Sequence, residues 1–273
     1  MPKRIPLSAA LAAALLATSA AAAADLRVCA NPDDLPFSDA RGEGFENRLA
    51  QLIARDLGET VQYTWTDEHE NFVRKTLDAG KCDVLMGVPA GFGEVATTRP
   101  YYTASYVFVS RADRGLHLSS IRDPRLRNLK IGVHIIGDDN TPPAEALSRQ
   151  GITGNVAGYL IFHDAYGKSR SHLLDDVAAG KIDVAAVWGP VAEYYASRVK
   201  PALAIAPITG TEAFAPLAFQ FPIALGVRKD DLTLKERLNA VLARDRKPIS
   251  DVLSRYGIAA GTSWAGAAGS QGR

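Results

Sequence analysis

The chain has 273 residues, 47% of them hydrophobic, with 31 Lys and Arg against 30 Asp and Glu and a formal net charge of +1. That balance leaves no basic surplus for nucleic acid or an anionic membrane, and the length suits one large domain or two ordinary ones. Two cysteines, Cys29 and Cys82, are too few to serve as the main scaffold, so the core must stabilise itself.

Met1 to Arg4 is a basic head, and an uncharged, alanine-rich run follows to Ala22. Ala22-Ala23-Ala24 before Asp25 fits an A-x-A cleavage site. Residues 1–24 therefore read as a secretory signal peptide rather than a membrane anchor, and the expected location is the periplasm. Losing Lys3 and Arg4 with it leaves acidic side chains in excess by one. In an oxidising compartment an even pair of cysteines points to a disulfide; two buried thiols are the alternative.

From Asp25 onward the chain says nearly the same thing twice. Leu26-Arg27-Val28-Cys29 predicts a first strand. Phe45, Leu49, Leu52, Ile53 and Leu57 fall on one apolar stripe of a helix. Val61 to Trp65 alternates as a strand, and Phe72, Val73 and Leu77 have helical spacing. Then comes Ala79-Gly80-Lys81-Cys82-Asp83-Val84 and a short apolar run to Val88, as expected of a strand buried on both faces. Tyr101 to Val109 is an extended connection. The second copy opens with Leu129-Lys130-Ile131-Gly132-Val133. A helix is predicted over 143–150, starting at Asp139-Asn140-Thr141-Pro142-Pro143, and a strand over 159–162. Leu173, Leu174 and Val177 follow at helical spacing, then Ala179-Gly180-Lys181-Ile182-Asp183-Val184 and a run to Trp188. Each Ala-Gly-Lys reads as a helix end, a glycine cap and a turn into a strand, with no chemistry of its own.

Each half is thus a parallel α/β lobe. Phe219 to Val227 leads back to the first. Thr233 and Glu236 form a capping box before a helix, and a last helix over 249–256 ends at Gly257. The expected lobes are 25–102 with 221–258, and 103–220, with 259–273 a disordered tail. Two chain crossings between them leave a cleft at the carboxyl ends of the strands. In the first lobe the opening strand neighbours the one after AGKCDV, so Cys29 and Cys82 are expected to bridge. The second copy has Gly132 and Ile182 at the equivalent places.

Leu35-Pro36-Phe37, Gly44-Phe45-Glu46, both AGKxDV turns, Pro100-Tyr101-Tyr102 and Gly226-Val227-Arg228-Lys229 resemble bacterial periplasmic substrate-binding proteins of the amino-acid-binding family. The resemblance implies a type II two-lobe fold with two hinge strands and a central cleft. It also implies an arginine after the third strand for a ligand carboxylate and an acid after the last strand of the second lobe for its ammonium. Here Gly91 to Thr98 holds no arginine, and Trp188-Gly189-Pro190 holds no acid. A buried zwitterion needs both partners, so amino-acid transport is not expected.

Arg27 to Pro32, Gly42 to Asn47, Thr97 to Tyr102, Ile131 to Asp139 and Val187 to Pro190, with both cysteines, are similar to a narrower subgroup. These are the MxaJ/XoxJ accessory proteins encoded beside PQQ-dependent alcohol dehydrogenases. That resemblance implies a non-catalytic periplasmic helper whose partner is a PQQ-dependent methanol or alcohol dehydrogenase, of the lanthanide or calcium branch.

Candidate cleft or partner-binding residues are Asp33, Asp34, Phe37, Trp65, Tyr101, Tyr102, His134, Asp138, Asp139 and Trp188, all near strand ends or the hinge. The aromatics suit an apolar ring or a partner's side chains, or else fill the lobe cores. The paired aspartates could hold a hard cation, but six or more oxygens cannot be assembled, and Asp is also an ordinary turn residue, so no metal is expected. The histidines at 69, 117, 134, 163 and 172 have no ligand spacing, and no nucleophile–base set occurs. No catalytic residue and no cofactor is expected, and the chain is expected to be a monomer. The alternative function is a solute-binding protein of a transporter for a small organic molecule other than a standard amino acid.

Overall fold

A computed structural model describes residues 24–66, 71–136, 139–161 and 170–258. The predicted signal peptide (but for Ala24), the predicted tail, Asp138, His69 and His163 lie outside the described residues. In chain order the first part comprises β1 (Asp25–Ala30), the small hairpin β2 (Asp33–Asp34) and β3 (Ser38–Asp39), and α1 (Phe45–Leu57). It continues with β4 (Thr60–Trp65), α2 (Phe72–Lys75), β5 (Val84–Pro89), β6 (Ala96–Thr97) and the long strand β7 (Tyr102–Arg111). The second part comprises β8 (Ile131–Ile136), β9 (Asp139–Asn140), α3 (Pro142–Arg149), β10 (Val156–Leu160), α4 (His172–Ala178), β11 (Val184–Trp188), α5 (Gly189–Ala196) and β12 (Leu203–Pro207). The return strand β13 (Gln220–Val227) precedes α6 (Leu232–Arg244) and α7 (Arg246–Arg255).

The strands join in the order β10-β8-β11-β7-β13-β5-β1-β4. At each end three strands run parallel with the first in the middle, β4-β1-β5 and β10-β8-β11. This is the repeat the sequence predicts. Antiparallel β7 and β13 stitch the halves together. Residues Tyr102–Ser105 of β7 pair with β13, while Tyr106–Arg111 pair with β11 and β12. One strand therefore carries the hinge from the first lobe into the second, and β13 carries it back.

Each lobe has its own core. In the first, the stripe of α1 (Phe45, Leu49, Ile53) packs with Leu26, Val28, Leu225 and the apolar faces of α6 and α7. On the other face Cys29 and Cys82 form a disulfide, Cα atoms 5.5 Å apart, among Val73, Leu77 and Leu85. In the second lobe Phe108, Ile131 and Leu147 fill one face, and Leu173, Leu174, Ile182 and Val187 the other. Among the described residues no helix is long and apolar enough to cross a membrane.

Three local expectations change. The expected first-repeat helix is one turn, α2, and the chain then turns rather than continuing helically to Leu77. The cap of α6 is Asp231, whose carboxylate accepts from the Leu234 amide, rather than Thr233. An aspartate two residues upstream offers a charged acceptor to the exposed helix N-terminus and starts the helix earlier. Finally, the strand expected over 159–162 is β10, which begins earlier at Val156 and ends at Leu160; β12, for which the sequence carried no expectation, pairs antiparallel to β7.

Candidate functional site

The loop after β1 is fixed on the N-terminus of α1. The amides of Phe45 and Glu46 donate to the carbonyls of Pro36 and Phe37, using helix donors that have no partner inside the helix. The Asn47 side-chain oxygen accepts from the amides of Gly44 and Asp39. A Cβ on Gly44 would lie 2.1 Å from the Phe37 carbonyl oxygen, so only glycine allows this approach. The Gly44-Phe45-Glu46-Asn47 stretch thus holds Asp34 and Phe37 at the carboxyl edge of the first lobe.

From the second lobe Arg170, just before α4, reaches across. Its Nη2 donates to Asp34 Oδ2 at 2.8 Å, its Nε donates to Oδ1, and both side chains are largely buried. The same guanidinium lies 5.2 Å from the centre of the Phe37 ring, a cation–π contact. Beside it the Tyr195 hydroxyl donates to the Leu35 carbonyl at 3.0 Å. A charge-assisted fork, a stacked cation and a hydroxyl therefore tie the two lobes together.

Trp188 closes β11 and touches all three large apolar clusters, with ring contacts to Tyr106 at 5.1 Å and Phe221 at 5.9 Å. The next residue must be small, because a Cβ on Gly189 would meet the Ser105 carbonyl of β7 at 2.8 Å. The Trp188-Gly189-Pro190 motif is thereby a packing device between the second lobe and the hinge strand.

The remaining candidates divide. Tyr102 is buried in the first-lobe core against Phe45, an internal packing position rather than a cleft-lining one. Trp65 stacks on Tyr63 at 4.5 Å at the outer strand. Asp33 is exposed on its hairpin, beside Asp34 in sequence. Asp139 joins β9 through its backbone. His134 is buried in β8, its Nε2 3.4 Å from the Arg170 carbonyl oxygen. Burial first, and the Arg170 charge second, lower its pKa from 6.5 to about 3, so it is neutral at physiological pH. Tyr101 packs against the core; its hydroxyl is buried with no hydrogen-bond partner among the described residues. Burial pushes that phenol well above the ordinary tyrosine range, with Tyr102 and Glu46 adding to it. The Gly87 backbone opposes this shift in part.

Sequence reasoning missed Arg170 and Tyr195. Arg170 lies at neither of the two family positions expected to hold charged partners. It precedes a predicted helix in a polar stretch where an arginine is unremarkable. Arg99, the first arginine after Gly91, is exposed and its amide is bonded to Asn239 of α6. Among the described residues no group of three or more His, Cys, Asp or Glu comes together as a metal site.

The chain is similar over its length to known proteins. It is 32% identical over 248 residues to Protein MoxJ of Methylorubrum extorquens, covering 86% of this chain and 81% of that protein. The crystal structure of MxaJ from Methlophaga aminisulfidivorans MPT superposes with a TM-score of 0.76 at 28% identity, covering 85% of this chain and 98% of that one. The periplasmic binding protein XoxJ from Methylobacterium extorquens AM1 superposes with a TM-score of 0.72 at 31% identity, covering 87% and 100%. The sequence profile of one family matches residues 26–248. The chain belongs to the bacterial extracellular solute-binding proteins, family 3.

Proposed function

We propose that this protein is a non-catalytic periplasmic accessory factor that works by contact with a PQQ-dependent methanol or alcohol dehydrogenase and supports its activation or maturation. The observation that carries the reading is the seam itself. The buried cation and anion between the lobes, Arg170 and Asp34, satisfy each other, and Phe37, Trp188 and Tyr195 complete the contact. A zwitterionic solute would have to break that pair before gaining either partner. The relatives named MoxJ, MxaJ and XoxJ support the same reading, through the group resemblance noted in the sequence.

A second reading, a solute-binding protein for a small organic molecule other than a standard amino acid, is favoured by one observation. The Tyr101 hydroxyl is buried, with no hydrogen-bond partner among the described residues, beside Glu46 and the β5 glycine Gly87. The two readings separate in one assay. The purified protein is added to a PQQ-dependent quinoprotein dehydrogenase of the same organism and alcohol oxidation is followed, while a thermal-shift screen covers PQQ, lanthanides, small alcohols and amino acids. A changed oxidation rate with a flat screen supports the accessory factor. An unchanged rate with a large thermal shift from one small molecule supports the solute carrier.

A further inference from the structure

Away from Arg170, a groove of about 510 Å³ runs along the outer side of the seam, between α1, α7 and the end of α5. Its walls carry four arginines: Arg48 and Arg55 from α1, Arg255 from α7 and Arg198 from just beyond α5. Among the described lining residues the only acid, Glu43, is already paired with Arg41 at 2.9 Å. Among the described residues Arg48, Arg55 and Arg255 make no ion pair, and all four arginines are exposed. In a chain whose formal charge is only +1, this is a local concentration of positive charge.

The floor is aromatic and comes from both lobes. Tyr194 of α5 stacks on Tyr256 beyond α7, centroids 5.9 Å apart and 19° from parallel. The Arg198 guanidinium lies 3.6 Å over the Tyr194 ring. The Tyr256 hydroxyl donates to the Glu43 carbonyl, fixing that ring to the loop before α1. Arginine and tyrosine are the residue types that anchor protein partners, and guanidinium groups pair with carboxylates through a two-pronged fork.

We infer that this groove docks an acidic, extended segment of a partner protein, a reading that rests on the accessory role proposed above and gives it an address. Arg48 and Arg55 stand seven residues apart on one face of α1, about 10 Å along the helix. An extended chain covers that span in about three residues. Successive carboxylates on such a segment can therefore meet arginines of α1 and α7, while a small dicarboxylate reaches one pair only. Residues 259–273 of this chain contain no Asp or Glu and cannot supply those carboxylates from side chains. Because Tyr194 and Arg198 belong to the second lobe and the other groove residues to the first, a segment bound here also favours the lobe arrangement in which Tyr194 stacks on Tyr256.

The test uses the full exported protein and two probes: a fluorescein-labelled octaglutamate peptide read by anisotropy, and a PQQ-dependent methanol dehydrogenase of the same organism. The variants are Arg48→Glu with Arg255→Glu, and Arg122→Glu as a control outside the groove. Peptide binding that weakens at least tenfold in the groove variant, is unchanged in the control and falls with added salt is the expected result. No peptide binding at millimolar concentration and low salt, or equal binding by all forms, overturns the inference. So does binding of anionic lipid vesicles, but not peptide, with the same dependence on the groove. The dehydrogenase probe keeps the two readings apart. Dehydrogenase binding that the groove variant leaves intact sinks the groove and spares the accessory role. Groove-dependent peptide binding with no dehydrogenase binding sinks the accessory role and leaves an acidic segment of another protein as occupant. A thermal melt of each variant matching the parent excludes misfolding as the cause of any loss.

Discussion

At Gly80 and Gly180 the chain makes the same turn twice, once in each lobe, with φ of 69° and 71°. The bonds correspond one by one. Gly80 and Gly180 amides donate to Leu77 and Val177, Lys81 and Lys181 to Thr76 and Asp176, and Asp83 and Asp183 to the carbonyls of Arg27 and Lys130. Each aspartate also takes an arginine from just beyond a hinge strand: Arg228 after β13 for Asp83, Arg114 after β7 for Asp183. The side-chain fillings differ. The first lobe closes its outer face with the Cys29–Cys82 disulfide. The second puts Ile182 over Gly132, where a Cβ would lie 2.5 Å from the isoleucine Cδ1 and 2.3 Å from Leu173 Cδ1. The backbone unit is therefore independent of the bridge, and a covalent link and a close-packed methyl are alternative ways to tie strand one to strand three.

Opening the bridge has the largest expected effect on that comparison. Cys29→Ala with Cys82→Ala should lower stability by roughly 2–5 kcal/mol, because the closed loop spans 53 residues. Denaturant unfolding measures it, with hydrogen exchange expected to rise first in the first lobe.

Acid should weaken the second lobe next. By strand register His134 corresponds to Asn31, so only the second lobe carries a buried titrating group there. Folded His134 resists protonation until about pH 3, whereas the unfolded chain takes the proton near 6.5. The unfolded state then binds more protons between those values. The stability contribution is full above about 6.5 and is lost as pH falls towards 3, on the order of a few kcal/mol. His134→Asn should flatten Tm against pH over that window, measured by calorimetric melts.

Smaller effects follow at the turn. Gly132→Ala should cost about 1–3 kcal/mol by overpacking, and Ile182→Val should recover part of it, a non-additive pair in a double-mutant cycle. The equivalent aspartates should separate least. The Asp83 carboxyl is opposed by burial but held below the usual carboxylate range by hydrogen bonds from Arg27 and Arg228. Asp183 is likewise opposed by burial but held below that range by Arg114 and the Lys130 amide. Asp83→Asn is expected to cost about 1–2 kcal/mol and Asp183→Asn about 1 or less, since the arginines are part-exposed.

Much of this frame was legible in the sequence. The stripe from Phe45 to Leu57 and the two AGKxDV turns are local patterns, so their periodicity survives without tertiary information. The hinge strands were legible as long apolar runs, and the cysteine pairing from strand adjacency. What was not legible depended on long-range geometry. Arg170 gains its meaning only from Asp34, 136 residues away, and the groove arginines only from three helices meeting. Tyr102 looked like a cleft residue because it sits at the hinge, and only the packing of Phe45 against it shows an inward face.

On the proposed accessory role, the seam is satisfied by the chain's own residues and the working ligand is a protein. Isothermal titration of the protein into a PQQ-dependent methanol dehydrogenase of the same organism tests this most directly. Saturable heat at micromolar concentration, undiminished by excess amino acids or small alcohols, is the predicted result. No heat with the dehydrogenase at high micromolar concentration, together with tight one-to-one binding of a small organic molecule, would contradict it.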